Sequence, residues 1–139
     1  GRVPLEVSGG VGIERVRADA KPGFPCRGSL CDAAIGDELL LLPFEHQPEA
    51  SPYRASGPIF VGRGAKQGLF AAGEIPASVS SRVISLRAYD SRHRIVHADV
   101  CDGARIGAGI EVAFSNSAVA YLHLHNAKRG CFACRVDRA

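Results

Sequence analysis

The chain is predicted to be a single α+β domain spanning residues 1–139, mainly antiparallel β-sheet or a partly open barrel, with one helix before a C-terminal hairpin. Three observations predict this. Apolar and polar residues alternate with a period of two over residues 82–89 and 95–100, and again over 121–125 and 131–136. Glycine and proline, 16 and 8 in number, interrupt the chain too often for long helices. Only residues 102–114 carry apolar side chains at helical spacing.

In chain order, residues 20–36 are rich in Pro, Gly and Cys and read as an irregular packed segment. Residues 38–44 form a short continuous apolar run, expected to be a central strand buried on both faces and to break at Pro43. Residues 51–57 read as a loop and 59–61 as a short strand. The glycine-rich residues 62–73 read as exposed. In the next hairpin, Ile84, Leu86 and Ala88 share one face and Val96, Ala98 and Val100 another, with residues 90–94 as the loop. Matching these faces sets Arg87 against His97 and Ser85 against Asp99. In the helix, Ile106, Ile110, Ala113 and Phe114 line one side. Asp102 is the expected N-cap and Asn116 the stop. Gly103, Gly107 and Gly109 each weaken it by roughly 1 kcal/mol relative to Ala.

Bulk properties narrow the function classes. With 46% apolar and 22% charged residues, the composition is that of a soluble globular domain. A net charge of +3, with basic and acidic residues interleaved, argues against nucleic-acid binding. The longest apolar run, Leu39 to Leu42, is far short of the ~20 residues a membrane span needs. The start of the chain has no charged-then-apolar signal pattern, although an N-terminal segment removed earlier stays open. Five cysteines, an odd number, favour reduced thiols in a cytoplasm over a disulfide framework.

The chemistry concentrates in the last hairpin, Tyr121-Leu-His-Leu-His-Asn-Ala-Lys-Arg-Gly-Cys-Phe-Ala-Cys-Arg-Val. His123 and His125, two apart on a strand, leave the same face. With residues 126–130 as the loop, His125 falls opposite Cys131, His123 opposite Ala133 and Tyr121 opposite Arg135. Leu122, Leu124, Phe132, Cys134 and Val136 form the core face. Cys131-Phe-Ala-Cys134 has C-x-x-C spacing, but positions i and i+3 of a strand point to opposite faces, so the two thiols do not meet.

Three functional readings follow. A divalent transition metal suits His123 and His125, because iron, copper, nickel and zinc all accept imidazole. The third ligand would be His46 or Glu45, or His97 with Asp99. The His-x-His strand is similar to the first half of a cupin metal motif, but Asn126-Ala-Lys-Arg stands where the following Glu is expected. In the second reading Cys131 is a catalytic nucleophile whose thiol is activated by His125 across the strand pair. In the third the chain is a non-catalytic interaction module with structural histidines. Tyr53, Arg54, Tyr121 and Arg135 are the candidate contacts for a small-molecule ligand. Neither nucleic acid nor membrane is an expected partner, and the oligomeric state stays open, a homodimer being one option.

Several segments together resemble the bacterial domain-of-unknown-function 1203 family. They are Ala20-Lys-Pro-Gly-Phe-Pro-Cys-Arg, Leu39 to Pro43 with Glu45-His-Gln-Pro, Ser51-Pro-Tyr-Arg-Ala-Ser-Gly-Pro-Ile-Phe, Leu86-Arg-Ala-Tyr-Asp and His123-Leu-His-Asn-Ala-Lys-Arg-Gly-Cys. The glycine-rich helix departs from the more helix-favouring sequence of that family. The resemblance implies a free-standing bacterial protein of the cytoplasm, and supplies no reaction, ligand or catalytic residue.

Overall fold

The computed structural model describes residues 14–18, 25–26, 31–32, 34–62 and 74–138. Most of the irregular segment expected at 20–36, and all but the first residue of the glycine-rich stretch at 62–73, lie outside the described residues.

Two mainly antiparallel sheets and one substantial helix make up the described fold, so the α+β expectation holds and the sheets do not close into a barrel. The first sheet contains β1 (Glu14–Arg17), β2 (Pro25–Cys26), β3 (Cys31–Asp32), β4 (Glu38–Gln47) and β5 (Ala55–Gly62), in the order β1-β4-β5-β2-β3. Its one parallel contact joins β2 to β5. A short helix, α1 (Ala77–Ser80), leads into the second sheet. That sheet contains β6 (Val83–Tyr89), β7 (Ile95–Asp102), β8 (Tyr121–Asn126) and β9 (Phe132–Asp137), ordered β7-β6-β8-β9. Between β7 and β8 a 3-10 turn (Gly103–Arg105) runs into α2 (Ile106–Phe114).

The principal core lies between α2 and one face of the second sheet. Ile84, Leu86 and Ala88 of β6, Leu122 and Leu124 of β8, and Ile106 and Ala113 of the helix are all almost fully buried there. Truncating one of these leucines to Ala would cost roughly 2–5 kcal/mol. By strand alternation, Ser85, Arg87, Tyr89, Tyr121, His123 and His125 face the other way, toward the first sheet.

Four expectations are corrected. First, β4 runs straight through Pro43, which pairs with Pro58, and only Leu39 and Leu40 of its leucines are buried. Second, the strand expected at 59–61 begins at Ala55, so the loop before it is shorter.

Third, β7 slips by one residue against β6: Ala88 pairs with His97 but Tyr89 with Ile95, leaving Val96 as a bulge. The slip sets His97 and Asp99 opposite Ala88 and Leu86, on the helix side of the sheet. Because β7 is the sheet edge, the cost of turning Val96 and Val100 outward is modest, and they are 43% and 61% exposed.

Fourth, Asp102 makes no side-chain cap. The helix is secured at its other end. Arg138 donates from Nε, Nη1 and Nη2 to the carbonyls of Val119, Phe114 and Asn116 at 2.9, 3.0 and 2.8 Å. The Phe114 carbonyl is one that the helix itself leaves unmatched, and a guanidinium suits the negative end of the helix dipole; the other two carbonyls belong to the turn that follows.

The helix glycines are not equivalent. A Cβ on Gly103 would run into the backbone carbonyls of Val79 and Arg82, whereas Gly107 has nothing within 4 Å. Gly103→Ala is expected to destabilise by roughly 1–3 kcal/mol, while Gly107→Ala should stabilise by up to about 1 kcal/mol. Urea unfolding of the two variants checks this opposition of sign.

Candidate metal centre

His123 and His125 do leave the same face of β8, and they are 2% and 1% exposed. The first sheet covers them. His46, near the end of β4, sets its ring 4.8 Å from that of His125 and 6.1 Å from that of His123, both edge-on. One ligand nitrogen from each of the three imidazoles falls within 4.8 Å of the others. Of the third ligands considered, His46 alone joins the pair. His97 and Asp99 sit on the opposite face of the sheet, and Glu45 forms an exposed ion pair with Arg54 at 3.3 Å.

Two irregularities in the strands bring the site together. In β4, Phe44 pairs with Gly57 but Gln47 with Ala55, so β4 carries one residue more than its partner. Strict alternation would turn His46 and Gln47 to opposite sides, whereas the bulge lets both reach the second sheet. His46 meets the histidines, and Gln47 Nε2 donates to the Tyr121 hydroxyl at 3.0 Å.

In β9, Leu124 pairs with Cys134 but His125 with Phe132. The final hairpin therefore adopts a different register from the expected one, with His123 opposite Arg135 and Tyr121 opposite Asp137. Phe132, assigned to the core face by simple alternation, joins the histidine side. Its ring stacks on His46 at 5.4 Å with an interplanar angle of 4° and meets His123 and His125 edge-on.

The expected pairing of Cys131 with His125 is not formed, because Phe132 takes that place. Cys131 instead accepts a hydrogen bond from Asn126 Nδ2 at 3.4 Å. Cys101, Cys131 and Cys134 form no disulfide. Because Cys131 precedes β9 and Ala133 is an extra residue in that strand, simple alternation does not decide how the two thiols of the C-x-x-C spacing are placed.

Of the ligand-contact candidates, Tyr121 is buried, and the Arg135 guanidinium lies 4.0 Å above its ring while Arg135 Nε holds Asp137 at 2.7 Å. Tyr53 stands at the rim, edge-on to Tyr89 at 6.3 Å, and Tyr89 stacks on Tyr121 at 5.2 Å. Arg54 is tied to Glu45 in an exposed ion pair.

The sequence reading missed Gln47, Tyr89, Phe132 and His93. His93 has a left-handed backbone (φ 62°) in the β6–β7 turn, a conformation uncommon for residues other than glycine. Its Nδ1 lies 2.7 Å from the Tyr121 hydroxyl and its Nε2 3.6 Å from Glu49. The loop residues Asp90 to Arg94 were the available signal. Asp90 Oδ1 accepts from the Arg92 and Arg94 amides, which organises a tight turn that presents residue 93 inward.

The electrostatics favour the neutral form of His123 and of His46. Burial, followed by the neighbouring His125, His46, Arg135 and Arg87, lowers the His123 pKa from 6.5 to about 4. Burial and then Arg87 lower that of His46 as well. Burial raises the Tyr89 hydroxyl above its ordinary value, although Gln47 and Arg87 oppose this.

His125 Nδ1 lies 2.8 Å from the Gly130 carbonyl, a contact that requires the proton on Nδ1 and leaves the lone pair on Nε2. The Nδ1 atoms of His46 and His123 are buried with no hydrogen-bond partner among the described residues. Each such nitrogen costs roughly 1–3 kcal/mol of lost hydration unless something else satisfies it.

The chain matches the family described as Protein of unknown function (DUF1203) over residues 23–138, and it belongs to that family. No curated protein and no solved structure matches it. No helix among the described residues is long and apolar enough to cross a membrane.

The depressed His123 pKa sets a pH dependence for the metal-free protein. Between the folded value near 4 and the unfolded value of 6.5 the unfolded chain binds more protons, so stability falls as pH drops through that window. The loss should reach at most about 3 kcal/mol and level off below the folded value. Urea midpoints from pH 7.5 to 4 check this, and His123→Gln should flatten the slope.

Proposed function

We propose that this chain is a metal-binding protein whose divalent transition ion is held by His46, His123 and His125. One observation carries the reading: three imidazoles converge from two sheets, and the buried Nδ1 atoms of two of them, His46 and His123, have no hydrogen-bond partner among the described residues. A metal supplies what those nitrogens lack. The Gly130 carbonyl does for His125 what outer-shell acceptors do for metal-ligating histidines, fixing tautomer and ring orientation.

Zinc, iron, copper and nickel all accept this donor set. Bonds of about 2.0–2.1 Å would draw the nitrogens in from their present spread. Three protein ligands leave a further coordination position for a small ligand, the pattern of catalytic rather than structural zinc sites. Tyr121 and Arg135 then form one packed wall of the centre, with Tyr53 at its rim. A bacterial cytoplasm suits the reduced thiols. Cys131 bonded to Asn126 fits a structural thiol better than an activated nucleophile.

Elemental analysis of protein purified without a His-tag should return about one equivalent of transition metal. Adding zinc to stripped protein at roughly 100 times Kd should stabilise it by about 2.7 kcal/mol, a Tm rise on the order of 10 °C. His123→Ala and His46→Ala should abolish that rise. Protein that carries no metal, and whose Tm zinc and iron leave unchanged, would overturn the reading.

A further inference from the structure

Arg87 lies beside the imidazole cluster with no acidic partner among the described residues. It sits directly across β6 and β8 from His123, and Arg135 sits directly across β8 and β9 from the same histidine. His123 is thus the middle of a row with a guanidinium-bearing residue on either side. The two arginines differ in one respect. Arg135 is balanced by Asp137 at 2.7 Å and rests on the Tyr121 ring. Arg87 is half-buried, and among the described residues its only polar contact is a long one, from Nε to Ser85 Oγ at 3.4 Å.

Because Leu86 and Ala88 point into the helix-side core, Arg87 must project to the histidine side. Its charge is felt there by His46, His123 and Tyr89 alike. Apart from the Arg135–Asp137 ion pair, the groups named on that face (Gln47, Tyr53, Tyr89, Tyr121 and Phe132) are uncharged. Glu45 and Glu49 are engaged with Arg54 and His93. A divalent ion on the three imidazoles would add two further positive charges beside a guanidinium that has no acid partner among the described residues. A half-buried cluster of one sign is costly unless an anion joins it.

We propose that the open position of the three-histidine centre takes an oxyanion, the carboxylate or phosphate group of a small ligand, with Arg87 as its second anchor. This rests on the metal reading and specifies what the metal binds. One oxygen coordinates the ion while Arg87 donates to the remaining oxygen of a carboxylate, or to two remaining oxygens of a phosphate as a planar fork, in charge-assisted hydrogen bonds. No bond of the ligand is made or broken in this step.

Cobalt(II)-loaded protein, whose visible absorption reports its coordination sphere, is titrated at pH 7.5 with acetate in one arm and inorganic phosphate in the other. Saturable spectral change with either probe supports the proposal and identifies the preferred oxyanion. Arg87→Gln should weaken that Kd by at least tenfold while leaving cobalt affinity unchanged or tighter, since a repelling charge is removed. Arg87→Lys, which keeps the charge without the fork, should fall between the two and guards against a folding defect. No spectral response to either anion, or an Arg87→Gln Kd within twofold of the parent, overturns the proposal. Failure of the metal reading is seen separately, as protein that takes up no cobalt before any anion is added, and the oxyanion proposal then falls with it.

Discussion

The structure of the site depends on one contact: the bulged end of β4 lying against the His-x-His face of β8. Without it, His123 and His125 would be two polar side chains on a solvated sheet, and the burial that does most to lower the His123 pKa would be lost. With it, three rings, Phe132 and the Tyr121–Gln47 pair form a packed layer between sheets. Packing here is largely ring against ring, which holds the imidazole planes by contact rather than by many hydrogen bonds. The bulge is essential because a regular strand could present either His46 or Gln47 to that layer, but not both.

That layer carries a cost. Removing imidazole nitrogens from water without replacing their hydrogen bonds lowers stability, and the neighbouring guanidinium charges push the same rings further from protonation. Such an arrangement is unfavourable as plain architecture and favourable as a binding centre, since metal ligation needs the deprotonated ring. The same positive field that keeps the rings neutral also draws an anion, so metal and oxyanion would each reduce the cost of holding the other.

The opposite face of the second sheet supplies the stability that such a site draws on. Its aliphatic layer under α2 is continuous from β6 to β9, and Arg138 ties the last turn of the helix to the end of the chain. The sheet thus divides its labour by side. Ile84, Leu86, Ala88, Leu122 and Leu124 build the core, and Arg87, Tyr89, Tyr121, His123 and His125 line the other face. Strand alternation makes this separation strict along both strands.

This division was legible in the amino-acid sequence. The alternation in residues 82–89 and 121–125 depends on local backbone geometry alone, so the shared face of His123 and His125, the aliphatic face behind them and the single main helix all follow from residue order. What stayed hidden depended on a partner strand. A bulge is one extra residue relative to a neighbour, and it leaves no signal in a single run of letters. Three bulges therefore carried Phe132 to the histidine side, His97 to the helix side, and His46 and Gln47 into the same layer. Local periodicity determined which face each histidine of β8 leaves. Only the tertiary structure decided what covers that face, because the meeting of two sheets is set by non-local packing.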